Sequence, residues 1–69
     1  MKLSARNILK GTVVQVKVGT VNSEVILELP GGAQIVSVIT KESAESLGLA
    51  PGQQAYAVIK ASNVMIAVD

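Results

Sequence analysis

Two short polar segments hold most of the side chains that could do chemistry. Ser4, Arg6 and Asn7 precede the first run of alternating apolar residues, and Lys60, Ser62 and Asn63 lie between the last two runs. All six donate hydrogen bonds: Arg and Lys only donate, while Ser hydroxyls and Asn amides donate and accept. Irregular backbone at each break adds free N–H groups. Donors that include two cations, with no carboxylate nearby in sequence, suit a fully deprotonated oxyanion, which accepts at every oxygen. Solvated charges beside ordinary turn residues are the plainer reading of the same residues. Lys60 stands apart because it ends an otherwise apolar stretch, Ala55 to Ile59, where its side chain is expected to be held rather than free.

Three other places merit the same question. Thr40 and Ser43 open a short helical stretch, where unpaired N–H groups and the positive dipole end favour anions, although simple capping is the plainer reading of these two residues alone. Gly19, Thr20, Val21, Asn22 and Ser23 form a polar turn that also reads as a plain hairpin loop. Glu24 and Glu28 share one strand face and are expected to solubilise it.

Composition limits the chemistry further. The 69 residues contain no His and no Cys, and Tyr56 is the only aromatic. The usual neutral-pH acid–base group and the strongest nucleophile are therefore missing, which argues against an enzyme. Disulfides and thiolate or imidazole metal sites are excluded for the same reason. A formal net charge of +1 gives no basic stripe for nucleic acid, and one Tyr gives no stacking platform. No stretch approaches the roughly 18 apolar residues of a spanning helix. The N-terminal residues also lack a signal peptide's apolar run. The expected location is the cytoplasm, with no membrane contact.

The elements that must position these residues read mainly as strands. Val14, Val16 and Val18 alternate with Gln15 and Lys17 inside a strand from Ile8 to Val18, in which Gly11 marks a bulge or a close approach. Val21 to Leu29 alternates again, and Pro30-Gly31-Gly32 turns the chain into a third strand, Ala33 to Thr40, whose mixed pattern predicts burial on both faces. Lys41 to Leu47 is the one helical stretch, with Thr40 as N-cap and Gly48 after its end. Gln53 to Lys60 and Val64 to Val68 complete five strands. Five short strands with one helix between the third and fourth fit a small closed OB-like barrel in a single domain, residues 1–69. With 49% hydrophobic residues, 16% charged and a mean hydropathy of +0.50, so small a chain has more apolar surface than its own core hides, and self-association is expected.

Ser4-Ala5-Arg6-Asn7 followed by Leu9-Lys10-Gly11, together with Val58-Ile59-Lys60-Ala61-Ser62 and Val64-Met65-Ile66, closely resembles the molbindins, the small molybdate-binding Mop proteins. The resemblance covers nearly the whole chain and departs at Ile8 and Asn63, where relatives often carry Gln and an acidic residue. It implies a Mop-type variant of the OB barrel, assembled as a hexamer built as a trimer of dimers, that holds molybdate or tungstate at subunit interfaces. Ser4, Ala5, Arg6 and Asn7, with Lys60, Ala61 and Ser62, would line the oxyanion site. Thr40 and Ser43 would donate from a neighbouring subunit, and the Gly19 to Ser23 turn would serve anions on a three-fold axis. The ligand is the oxyanion itself, with no cofactor and no metal ligated directly by protein. The implied role is storage or buffering in the cytoplasm. A module that signals molybdate status to a partner protein is the alternative, and a nucleic-acid-binding OB module is a weaker one.

Overall fold

Alternating apolar residues and two Pro-Gly turns give four strands and one short helix. In a computed structural model describing Met1–Asp69, β1 is Asn7–Val18, β2 Asn22–Glu28, β3 Gln34–Thr40, α1 Lys41–Ser46 and β4 Gln54–Ile59, followed by a single 3-10 turn at Ala61–Asn63. All pairings are antiparallel, in the order β3-β2-β1-β4. The long β1 changes partner along its length: Asn7–Thr12 pair with β4, and Thr12–Val18 with β2.

Two features bend β1 where it changes partner. Gly11 is buried, and a Cβ there would stand 2.7 Å from the backbone oxygen of Glu28, so only glycine admits this approach. The bulge itself lies at Val14, which the register skips between Val13↔Leu27 and Gln15↔Ile26. It shifts the inward phase, so Val13 is fully buried and Val16 packs on the same core. The expected alternation of Val14, Val16 and Val18 therefore holds only beyond the bulge.

Leu29-Pro30-Gly31-Gly32 closes through Gly32 N–H to Leu29 O at 3.0 Å. Gly31 sits at φ 94°, as a Pro-Gly turn of type II requires. The helix starts as expected, with the Thr40 side chain accepting from Ser43 N–H. It ends in paired bonds from Gly48 N–H to Glu45 O and from Leu49 N–H to Ala44 O.

Val13, Val25 and Leu27 form the core, with Val16, Ile39, Leu49, Ala55 and Ala57 packed around them. On β3, Ile35, Ser37 and Ile39 are half-buried, whereas Val36 and Val38 face outward and are exposed. The expectation of burial on both faces of β3 is therefore corrected: nothing in one chain covers the outer face.

The fifth strand is corrected as well. Val64–Val68 has strand-forming residues but no partner; Met65, Ile66 and Val68 are 92%, 85% and 91% exposed, and Met65 to Asp69 make no backbone hydrogen bond. Edge strands β3 and β4 do not pair with each other, so the barrel is a curled, open four-stranded sheet. The surface shows what is lacking. The chain exposes 5367 Å², whereas a self-contained protein of its 7.1 kDa exposes about 4,100 Å². Its 32 backbone hydrogen bonds compare with about 46 expected for this length.

Candidate functional site

Antiparallel pairing of β1 with β4 brings the two polar segments together. Asn7 stands opposite Ile59 at the end of this ladder, and Asn7 Nδ2 donates to Ile59 O at 3.2 Å, which ties the start of one strand to the end of the other. Ser4-Ala5-Arg6 and Lys60-Ala61-Ser62 therefore leave the sheet side by side. At the second segment the chain turns at once: Asn63 N–H bonds to Lys60 O at 2.8 Å and Val64 N–H to Ala61 O at 3.2 Å.

This turn consumes carbonyls and leaves amides free. The backbone N–H groups of Ser4, Ala5, Arg6, Lys60, Ala61 and Ser62 make no backbone hydrogen bond. The side chains of Ser4, Arg6, Lys60 and Ser62 take part in none of the chain's side-chain hydrogen bonds. Ala5 and Asn7 are half-buried and the other five residues exposed. The expectation that Lys60 is held is corrected here: β4 stops at Ile59, and the Lys60 side chain projects into solvent beyond it. The result is a largely exposed cluster of donors carrying two cations.

Thr40 and Ser43 lie elsewhere. β1 carries Asn7 at one end and Val18 at the other, and Val18 pairs with Ser23, which pairs with Ile39 next to Thr40. At about 3.3 Å per residue, β1 separates the two clusters by roughly 35 Å of strand path. Thr40 Oγ1 donates to Ser43 Oγ at 2.7 Å while accepting from Ser43 N–H at 3.0 Å. The Thr40 proton is thus committed internally, and the Ser43 hydroxyl is the one free to donate outward.

The Gly19 to Ser23 segment divides. Gly19, Thr20 and Val21 form the exposed turn, closed by Gly19 N–H to Asn22 O at 2.8 Å and joined to the helix by Lys41 N–H to Val21 O at 2.8 Å. Asn22 and Ser23 belong to β2 rather than to the turn. Ser23 is 1% exposed, and its Oγ has no hydrogen-bond partner, a condition that costs about 1–3 kcal/mol. It lines a hollow of about 120 Å³ together with Val16, Val18, Lys41, Ala44 and Leu49. Lys41 is a residue the sequence reading passed over, although its position between Thr40 and Ser43 was the available signal. A second, wider hollow of about 560 Å³ beside Lys10, Gly11, Glu28 and Pro30 contains none of the candidate residues. No group of three His, Cys, Asp or Glu residues is placed to hold a metal ion, and no helix is long and apolar enough to cross a membrane.

Comparison with known proteins places this geometry among relatives. The TOBE domain family matches residues 3–66. Molybdenum-pterin-binding protein 3 of Clostridium pasteurianum is 52% identical over 66 residues, covering 96% of this chain and 97% of that protein. Among solved structures, MopII from Clostridium pasteurianum superposes with a TM-score of 0.92 at 48% identity, over 97% of this chain and all of that one. The cytoplasmic molybdate-binding protein ModG, in a crystal form with molybdate bound, superposes with a TM-score of 0.91 at 58% identity, over 94% of this chain and 46% of that chain.

Proposed function

The chain belongs to the TOBE-domain family, among its molybdenum-pterin-binding Mop members, and from that premise we propose that it binds molybdate between copies of itself and stores or buffers the ion in the cytoplasm. The observation that carries the reading is the side-by-side placement of free N–H groups at Ser4-Ala5-Arg6 and Lys60-Ala61-Ser62, with two cations and no competing carboxylate in either segment.

Molybdate is a tetrahedral dianion with four accepting oxygens, so hydrogen-bond donors satisfy it without any bond from protein to the metal centre. Ala5 and Ala61 donate through their backbones, Ser4 and Ser62 add hydroxyls, and Arg6 and Lys60 supply charge. Asn7 positions the cluster through its bond to Ile59. Tyr56 stands opposite Lys10, three ladder positions from the Asn7–Ile59 pair, so no ring stacks among these donors and the inorganic ion is the ligand they suit.

An exposed cluster holds a dianion weakly in water, so a second wall is needed. Ser43, backed by Thr40, supplies it from another copy, since the two clusters belong to opposite ends of β1. Closed assembly into a hexamer, a trimer of dimers, provides such interfaces, and the Gly19–Val21 turn is the candidate for anions on its three-fold axis. Phosphate near neutral pH is partly protonated, and its O–H would meet donors only, leaving a polar group unpaired. Sulfate carries no such proton and is rejected by its smaller size, whereas tungstate matches molybdate in size and charge.

Native mass spectrometry with added molybdate, and with sulfate as the control anion, tests this reading. A hexamer that gains molybdate in discrete steps and ignores sulfate is expected. A monomer that takes up neither ion overturns the proposal.

A further inference from the structure

We propose that the wider hollow, of about 560 Å³ beside β1, the start of β4 and the β2–β3 turn, is a second binding site, and that its ligand is a small zwitterion of the α-amino-acid class. The volume lies within the range of small-molecule sites, roughly 300–1,000 Å³. The chemistry of the hollow follows from the strand register. Thr12 stands opposite Glu28 on β2 and opposite Gln54 on β4, so these three side chains form one row on one face of the sheet. Lys10, two residues before Thr12 on β1, belongs to the same face. All four line the hollow, and none of their side chains takes part in a side-chain hydrogen bond.

Two of the four carry opposite charge. Lys10 and Glu28 occupy diagonal positions, which regular antiparallel strands hold about 7–8 Å apart. Both border the same space without bonding to each other. A cation and an anion set on either side of a polar hollow match a molecule that carries both charges close together. An α-amino acid does so: its carboxylate accepts from the Lys10 ammonium, and its ammonium donates to the Glu28 carboxylate. Gly31 N–H, which the Pro-Gly turn leaves without a backbone partner, is a further donor at the rim. Thr12 and Gln54 each donate and accept, and Val14 and Leu29 supply an apolar flank for an aliphatic side chain. Other ligands lack a counterpart here. A dianion such as molybdate meets the Glu28 carboxylate, and a nucleobase finds no aromatic ring among the lining residues. The hollow shares no residue with the donor segments, so this proposal stands independently of the oxyanion reading.

Isotope-labelled protein titrated with the standard L-α-amino acids singly, and followed by amide chemical shifts, tests the assignment. At least one amino acid is expected to move the Lys10, Thr12, Glu28, Gly31 and Gln54 amides along a saturating curve by about 10 mM, where a ligand with a dissociation constant of roughly 1 mM is nearly fully bound. The N-acetyl amide of the same amino acid keeps the side chain and lacks both charges, and it is expected to move none of them. Lys10→Gln and Glu28→Gln should each weaken binding about tenfold or more. Both residues are exposed, so these variants are expected to fold and to keep the native mass and molybdate affinity of the unaltered protein. If no amino acid moves these amides, if the uncharged analogue moves them equally, or if both variants bind as before, the proposal is wrong. Amides that respond to protein dilution and to no amino acid would show the hollow covered by another copy, which overturns it too. Molybdate in a parallel titration is expected to move the Ser4–Asn7 and Lys60–Ser62 amides instead. Failure of either ligand therefore removes one reading and leaves the other standing.

Discussion

Ala5 and Ala61 have methyl side chains that donate nothing, yet both belong to the proposed site because the backbone around them leaves their N–H groups unpaired. Ala61 offers a clean test. Lys60 is extended at φ −62° and ψ 131°, the conformation a residue before proline prefers, and Ala61 begins a helical turn, where proline is tolerated. Ala61→Pro should therefore keep the fold and remove one donor. A hydrogen bond to a charged partner contributes about 1.5–3 kcal/mol, so calorimetric titration should show molybdate affinity reduced by roughly 10- to 150-fold. Arg6→Ala and Lys60→Ala should each weaken binding by a similar factor with little change in thermal stability, as both side chains are exposed in the single chain. Unchanged affinity in all three variants would remove these residues from the site.

The elements differ in how far their residues announced them. Thr40, Gly48 and the intervening acidic residues mark α1 because capping is local chemistry, and the helix appears where they place it. Thr40→Ala should cost about 1 kcal/mol, seen as a fall in melting temperature of roughly 4–8 °C. Gly11→Ala should cost more, about 1–3 kcal/mol, because its Cβ would meet backbone rather than a side chain that can move aside. A calorimetric scan in which Gly11→Ala melted with the unaltered protein would contradict the close approach. The bulge at Val14 was not legible, since an extra residue is defined only by what stands opposite it on β2. Val64–Val68 was legible as strand-forming but not as partnerless, because composition reports propensity and pairing depends on what lies alongside. The same limit applies to Lys60, whose apolar run predicted confinement although the strand ends one residue before it. The two donor segments were recognisable from residue type, whereas their adjacency came from the β1–β4 register.

At the scale of the whole molecule, 5367 Å² of exposed surface and an open sheet are what the proposed assembly would cover. If the ion binds only between assembled copies, it stabilises the assembly. A hundredfold excess of molybdate over its dissociation constant should add about 2.7 kcal/mol, read as a higher melting temperature in differential scanning calorimetry. Sulfate at equal concentration should leave the transition in place. If, as proposed, the two donor clusters meet across an interface and store the ion there, release follows from dilution. A pocket assembled from two molecules empties when its halves part, so ion retention depends on how much protein is present as well as on how much ion. A cell that stopped making this protein and continued to divide would thin it by half each generation. Once the concentration fell below the point where copies find one another, the stored metal would return to circulation while intact chains still remained, without a protease or a release factor.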